Sequence, residues 1–565
     1  MATEYKHTGF ALAKMLMDYG VEYIFGIPGG QTLPLYDASY AHSKQLKHIS
    51  VRDERHAGHA ACVYSRVSGK LGVCDATVGP GVTNLPSALG EALNSSTPFL
   101  AIAGEHPVGW ANKIDFGRAS QGIDQISMLK PVSKKVIYVP TQDSLPELVK
   151  TAFLEATTGR PGPVVLVIPA DVFKHEGGPQ EIENYIEPGL NHYPTYRTAP
   201  DPEAITKAAT LLRDAKSPVM LVGGGTLLSG AMEEAQKVAE YLSMPVVSTI
   251  TGKGTLAYEH ELNMGTVGIF ANAHCADPTL READLVFMVG TKNSQSSTFL
   301  WTVPTPEQKV IHLDVDPGEI GRIFRTDVGL AGDAKLGLEA LYQELKAGGE
   351  IPVNAKRIEK LTELKAAWQA KKEELYARDN TPIQPYRVMD AVNKTLGPDD
   401  YLACDAGFAS GWGALYFEQK SAGRRSLFPR GLAGLGFSVA AGIGAQLAAP
   451  DSRVVTIAGD AGFSYDMAEL TVQAQLGLPI VNIVLNNSAY GWVKWAEQAW
   501  YDGSFSASEL QSVDFAKVAE GVGCVGVKVD EPAQIEPSLK EALKLNKPVV
   551  LDITIDDEST PNIPM

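Results

Sequence analysis

Several things are scarce in this sequence, and each scarcity excludes something. No apolar run approaches the roughly 20 residues that a membrane-spanning helix needs; the longest, such as 163–170, are strand-sized. Basic residues are in deficit: 49 Lys+Arg stand against 66 Asp+Glu, a net charge of −17. Nucleic acid and anionic membranes both call for a basic face, so neither is expected as the main partner. Cysteines number five (Cys62, Cys74, Cys275, Cys404, Cys524), lie far apart and form no CxxC pair. That pattern makes neither a disulfide framework nor a zinc site. The opening stretch, MATEYKHTGFALAKML, reads as an amphipathic helix and lacks the charged-then-apolar order of a secretory signal. Together these absences lead to the expectation of a cytoplasmic protein without a membrane partner.

What is present is a globular composition, 44% apolar and 20% charged over 565 residues. At roughly 150 residues per domain, that length predicts three or four domains. Short runs rich in Val and Ile alternate with helical stretches: 23–29, 71–79, 99–105, 163–170, 218–225, 285–291, 310–316, 454–460 and 480–487. Continuous apolar strands are covered on both faces, as in parallel sheets flanked by helices. The expected class is α/β, with three doubly wound parallel-sheet domains in series. Residues 175–203 and 347–356 are poor in apolar period and read as linkers, the second leading into a charged helix at about 357–378. The expected domains are 1–180, 195–348 and 365–565.

The densest chemistry lies in the last third. One strand ends in Gly459-Asp460-Ala461-Gly462 and a later one in Asn486-Asn487, with Asp460 and Asn487 27 residues apart. Open α/β sheets bind ligands at such carboxyl ends. A carboxylate and an amide oxygen are hard ligands suited to Mg²⁺, and the small Ala461-Gly462 pair admits a diphosphate to the amides of a helix start. Alone, the GDA tripeptide reads equally well as a polar strand end capping a helix.

The full GDA-x24-NN pattern resembles the thiamine-diphosphate signature. Further segments, FGIPGGQTLPLYDA (25–38), VRDERHAGHAA (51–61), SGKLGVCDATVGPGVTNL (68–85), GLAGLGFSVAAGIGAQLA (431–448) and YGWVKWAEQ (490–498), are similar to acetolactate synthases and pyruvate oxidases. The resemblance implies a pyrimidine-binding domain, a middle domain and a diphosphate-binding domain, in that order. It implies that Asp460, Asn487 and the carbonyl of Ala489 hold Mg²⁺ on the diphosphate. Gly459, Ala461, Gly462, Tyr490, Gly491, Val493 and Gly407 would line that half. Glu54 would bond N1′ of the aminopyrimidine, with Gly30, Pro80 and Asn84 nearby. A carboxyl group sharing a proton with that ring favours the imino tautomer that deprotonates the thiazolium, and burial suits a carboxyl to such exchange near neutral pH. The bland alternative for Glu54 is a helix-start carboxylate helped by the macrodipole. Leu435 would wedge the cofactor into its bent form, a positioning effect, with backbone groups of Ala433 and Leu435 at the pyrimidine edge; an ordinary core leucine fits the same residues.

The resemblance also sets the expected reaction: decarboxylation of a 2-oxo acid and transfer of the acyl unit to a second carbonyl, aldehyde or keto acid. Val493 stands where aldehyde-releasing decarboxylases carry a glutamate, which favours carboligation. Gln31, Gln121 and His56 are further catalytic candidates, and His59 competes with His56 for a proton-transfer role. Three departures from the family leave the substrate open: Ser120-Gln121-Gly122 for Phe-Gln-Glu, Glu105-His106 after Gly104, and no Gln-His pair in 403–412. In the middle domain, VGGGTLLSG (222–230) has Leu228 where a dinucleotide fingerprint needs its third glycine. The stretch GTKNSQSSTFLW (290–301) lacks the Arg and Asp that hold FAD in the synthases, so FAD is possible here but not favoured. The alternatives are an oxidase-like enzyme, an acyl-CoA lyase or decarboxylase, or an inactive scaffold relative. An obligate homodimer, and by the same analogy a homotetramer, is expected.

Overall fold

The computed structural model describes residues 5–179 and 181–561. The chain divides into two compact units. The first contains Met1–Tyr196, Pro429–Asp451 and Tyr465–Leu478. Its strands are β1 (Tyr5–His7), β2 (Tyr23–Gly26), β3 (Lys47–Ser50), β4 (Gly72–Ala76), β5 (Phe99–Glu105), β6 (Lys135–Tyr138), β7 (Pro163–Pro169) and β8 (Glu176–Gly177). Six of them form one parallel sheet in the order β3-β2-β4-β5-β7-β6. The central strands β4, β5 and β7 are buried from end to end, as a sheet covered on both faces requires. The expected N-terminal helix is shorter than its pattern. It runs Thr8–Asp18, while Tyr5–His7 instead pairs antiparallel with β8; residues 1–4 lie outside the described residues. The expected linker therefore begins with a strand.

The second unit contains Arg197–Phe428, Ser452–Ser464 and Pro479–Met565. One of its sheets comprises β9 (Pro218–Val222), β10 (Val246–Ser248), β11 (Asn263–Thr266), β12 (Leu285–Val289), β13 (Lys309–Asp314) and β14 (Val328–Ala331), in the order β11-β10-β9-β12-β13-β14. The other comprises β15 (Tyr401–Cys404), β16 (Ser426–Leu427), β17 (Val454–Gly459), β18 (Ile480–Asn486), β19 (Val525–Val529) and β20 (Val549–Thr554), in the order β16-β15-β17-β18-β20-β19. All these pairings are parallel. With strands numbered within each sheet, this last sheet repeats the order of the six-stranded N-terminal one, 2-1-3-4-6-5. The middle sheet reads 3-2-1-4-5-6, the order of dinucleotide-binding folds. The charged helix spans Ala355–Tyr376 and buries Leu361, Trp368, Lys372, Leu375 and Tyr376 in the second unit. Among the described residues no helix is long and apolar enough to cross a membrane, and the five cysteines are buried and form no disulfide.

Candidate active site

In the first unit, Glu54 opens the helix Glu54–Ser68, which is capped by the Asp53 carboxylate on the Arg55 N–H at 2.8 Å. The cap turns Glu54 inward, where it is 5% exposed. Its Oε2 accepts from Asn84 Nδ2 at 2.9 Å, and its Oε1 lies 2.9 Å from where a Cβ on Gly81 would stand. Only glycine allows that approach. Asn84 and Pro80 are themselves exposed, and Gly30 has open space on the side where a Cβ would project. Gln31 is half-buried, its Oε1 accepting from Thr77 Oγ1 at 2.9 Å. Gln121 is exposed and sits at a φ of 67°. The carbonyl beside it, that of Ser120, is held by His106 Nε2 at 2.9 Å; His106 in turn meets Glu105 at 3.2 Å.

Ala433 and Leu435 belong to the same unit as Glu54, Ala433 exposed at a φ of 56° and Leu435 half-buried. Their loop is fixed by a residue that the sequence motifs do not include. The buried Glu91 carboxylate accepts from the N–H groups of Gly431 (3.0 Å) and Leu432 (2.7 Å) and pairs with Arg66 at 3.2 Å. Gln125, fully buried, also lies outside the motifs: its amide donates to the Gly104 carbonyl at 2.7 Å. Neither residue falls in a Gly-rich segment, so nothing local in the chain signals them.

The two histidines after Glu54 face protein, not an open cleft. His56 has Nδ1 at 3.0 Å from Glu469 Oε1 and Nε2 at 3.1 Å from Arg55 Nη2. A carboxylate accepts and a guanidinium donates, so this imidazole carries its proton on Nδ1 and both nitrogens are engaged. Glu469 also accepts from the Arg52 N–H at 2.9 Å, so it ties His56 to the strand–helix turn ahead of Glu54. His59 packs edge-on against Phe437 at 5.3 Å, and burial keeps it neutral, far below the usual histidine range.

In the second unit, Asp460 follows β17 and is 4% exposed. Its carboxylate accepts from the N–H groups of Ala461 (2.7 Å), Ser488 and Ala489. Burial nevertheless raises its pKa to about 6. No ammonium or guanidinium pairs with it among the described residues. The adjacent parallel strand β18 brings the Asn pair beside it, with Gly459 in register with Leu485. The two asparagines differ. Asn486 is consumed by the fold, donating to the Val513 carbonyl and the Asp552 carboxylate, both at 2.9 Å. The Asn487 side chain makes no hydrogen bond to the described residues and is half-buried. The turn that follows is pinned by Tyr490 N–H on the Ser508 carbonyl (2.8 Å) and Leu510 N–H on the Ser488 carbonyl (2.7 Å). Ala461, Gly462 and Ala489 are buried, Gly491 is half-buried, and Val493 is exposed on the helix Gly491–Trp500. A Cβ added to Gly459 or Gly407 would meet no atom within 4 Å, so both glycines border open space.

A buried carboxylate without a cation, a free amide at the end of the next strand and two glycines flanking space are the features that a metal-bridged diphosphate requires. Among the described residues no three His, Cys, Asp or Glu side chains cluster to hold a metal, so a cation here depends on one carboxylate with neutral oxygens. Sequence comparison places the site in a family. Residues 6–128 match the thiamine pyrophosphate enzyme N-terminal TPP binding domain, 205–341 the central domain and 405–553 the C-terminal TPP binding domain. The chain belongs to the thiamine pyrophosphate enzymes, in their acetolactate synthase-like family. It is 36% identical to the probable acetolactate synthase large subunit of Methanocaldococcus jannaschii, over 98% of this chain and 93% of that one. The acetolactate synthase large subunit of Corynebacterium glutamicum is 34% identical, over 97% of this chain and 87% of the relative. The acetolactate synthase of Mycobacterium bovis is 32% identical, over 96% and 87%. As a family member the chain is a thiamine-diphosphate-dependent enzyme, and its three matched segments fall one on each of the six-stranded parallel sheets.

Proposed function

We propose that this enzyme is an Mg²⁺-dependent carboligase that decarboxylates a 2-oxo acid and joins the remaining acyl unit to a second carbonyl compound. The observation that carries the reading is Asp460: a carboxylate 4% exposed, held by three backbone N–H groups and with no lysine or arginine partner among the described residues. Asp460, Asn487 and the Ala489 carbonyl would hold Mg²⁺, which neutralises a diphosphate that Gly407 and Gly459 leave room for. Bound thiamine diphosphate supplies an electron sink for the pair released as CO₂ departs. Glu54 holds a proton at the aminopyrimidine N1′, and Asn84 fixes its second oxygen so that one face of the carboxyl group stays available. Leu435 orients the cofactor, with Ala433 at the pyrimidine edge. Gln31 and Gln121 bind substrate, and Val493 leaves the acyl unit without the acid that would release it as an aldehyde.

The assembly we propose is an obligate homodimer in which Glu54 of one chain and Asp460 of its partner complete a site. We also propose that it works without flavin. The glycine-rich turn of the middle sheet is closed on itself: a Cβ on Gly223 would stand 2.2 Å from the Gly290 carbonyl oxygen. The test is incubation with thiamine diphosphate, Mg²⁺ and paired 2-oxo acids and aldehydes, with products identified by mass spectrometry. Two-carbonyl adducts are expected, from protein that shows no flavin absorbance. Aldehyde as the sole product, or stoichiometric flavin, overturns the reading. Glu54→Gln should bind cofactor and lose turnover, and refolding it together with Asp460→Ala should restore part of the activity if sites are shared.

A further inference from the structure

The second unit holds a small, partly enclosed cavity of about 50 Å³ that the proposed chemistry does not use. It lies between the loop after β10, the helix Ala355–Tyr376 and the helix Phe408–Tyr416. Its polar lining includes Ser248, Lys253, Thr255, Tyr258, Lys365 and Gln419, and no Asp or Glu is among the described residues that line it. The charges around it do not balance. Lys372 is paired with Glu418 and donates to the Tyr258 hydroxyl. Lys365 donates to the His260 carbonyl at 2.7 Å, and the acids nearest it, Glu259 and Glu261, are exposed. Among the described residues the Lys253 ammonium has neither an ion-pair partner nor a hydrogen-bond acceptor, its nearest acid being the Glu418 already paired with Lys372.

The backbone that carries half-buried Lys253 is pinned on its C-terminal side. Gly254 is clamped by the Gly423 N–H on its carbonyl at 2.8 Å, and Tyr258 by its N–H on the Gln419 carbonyl at 2.8 Å. Burial, reinforced by the neighbouring Lys372 ammonium, lowers the Lys253 pKa to about 8. A cation in that position is short of a counter-charge, and the cavity beside it has room for one. At roughly 10–15 Å³ per water-sized atom, 50 Å³ accommodates about four non-hydrogen atoms.

We propose that this cavity binds a small carboxylate of about four non-hydrogen atoms, with the Lys253 ammonium as its ion-pair partner and the Tyr258, Ser248 and Thr255 hydroxyls around it. The site is independent of the cofactor reading. It borders the element that carries Gly407 at its N-terminal cap, since Ala414 and Leu415 of the same helix line the cavity.

The test is equilibrium dialysis of the full chain, free of cofactor, against radiolabelled acetate near neutral pH and at constant ionic strength. One saturable site per chain is expected. Acetamide, the neutral isostere, should not compete, and benzoate should be too large to compete. Lys253→Met and Lys253→Gln should lose affinity by at least about tenfold, the scale of a lost charge-assisted hydrogen bond. Above a pH of about 8 binding must take up a proton at Lys253, so affinity should fall as pH rises through that value. The groups facing Lys253 are Lys372, Glu418 and Cys404, with Lys365, Tyr258 and Cys275 around the cavity; of the three lysines only Lys372 is paired with a carboxylate, and loss of a proton from any of them weakens anion binding, so the sign stands. Absence of saturable binding, competition by acetamide equal to acetate, or undiminished binding by a folded Lys253→Met protein would overturn the proposal. The acetate–acetamide contrast and the pH series use the unmodified protein, so they decide the question even if the variants fail to fold.

Discussion

The sheets β9–β14 and β15–β20 share one unit, are wholly parallel, and each place glycines at or just past the end of a central strand. At the end of β9 those glycines serve packing: a Cβ on Gly225 would lie 2.8 Å from Gly290 Cα, and one on Gly223 nearer still to the Gly290 carbonyl. At the end of β17, and after β15, Gly459 and Gly407 face empty space. The acids at the strand ends differ in the same sense. Asp314, ending β13, accepts from the Asp316 N–H at 2.9 Å within its own turn. Asp460 accepts from the N–H of Ala461 in its own turn and also from those of Ser488 and Ala489, beyond the end of the neighbouring strand β18. The middle sheet has the dinucleotide order and a closed turn, while the C-terminal sheet has the open one. Whether a glycine gives access or merely permits packing depends on what lies opposite, and that is a property of another strand.

The two acids offer the severest challenge to this contrast. Asp460→Ala should lower Mg²⁺-dependent thiamine diphosphate affinity by more than about 100-fold and abolish turnover, because an inner ligand is lost rather than an outer one. Asp314→Ala should leave cofactor affinity within about twofold, since its carboxylate serves the turn after β13. Titration calorimetry with cofactor and Mg²⁺ reads both. Equal losses would show that the two strand ends are not functionally distinct.

The glycines resolve the contrast more finely. Gly459→Val fills open space, so the protein should fold with unchanged thermal stability and lose about tenfold or more in cofactor affinity. Gly223→Ala pushes a methyl group against the Gly290 backbone and should cost about 1–3 kcal/mol of stability, with cofactor affinity unchanged in the folded fraction. Denaturant melts and cofactor titrations on the same two proteins separate these outcomes. Reversal of the pattern would place the cofactor cradle on the middle sheet.

Much of this is legible in the chain. The uninterrupted Val- and Ile-rich runs announce buried parallel strands, and β5, β7 and β18 match runs 99–105, 163–170 and 480–487 to within a residue or so. Short or polar strands escape: Lys47–Ser50, with one buried residue in four, and Ser426–Leu427, with two residues, carry no period to detect. At the site, motif residues such as Glu54 and Asp460 stand out because their chemistry is rare at strand ends. Their supports do not. Glu91 and Glu469 act on residues more than 300 positions away, on the Gly431–Leu432 N–H groups and on His56 and Arg52 respectively. The pairing of His56 is hidden in the same way, since its distant acid partner, Glu469, cannot be seen from its neighbours.

The subtlest effect is a pH signature carried by Asp460. In cofactor-free protein its pKa stands near 6 instead of the ordinary 3.8, because burial penalises the ionised form. The folded state then holds a proton that the unfolded chain releases at lower pH. Stability should accordingly fall as pH rises from about 4 to about 6, and remain lower above that, by on the order of 2–3 kcal/mol for a shift of this size. Asp460→Asn removes the ionisable group, so the difference between wild type and variant across the same interval isolates this one residue from the chain's other carboxylates. Mg²⁺ binding demands the ionised form, so its affinity for the wild-type protein should decline as pH drops below about 6, by up to about tenfold per unit. Chemical melts of wild type and Asp460→Asn between pH 4 and 7 supply the measurement. Parallel stability curves for the two proteins would mean that Asp460 is already compensated in solution, and the contrast with Asp314 would then rest on the glycines alone.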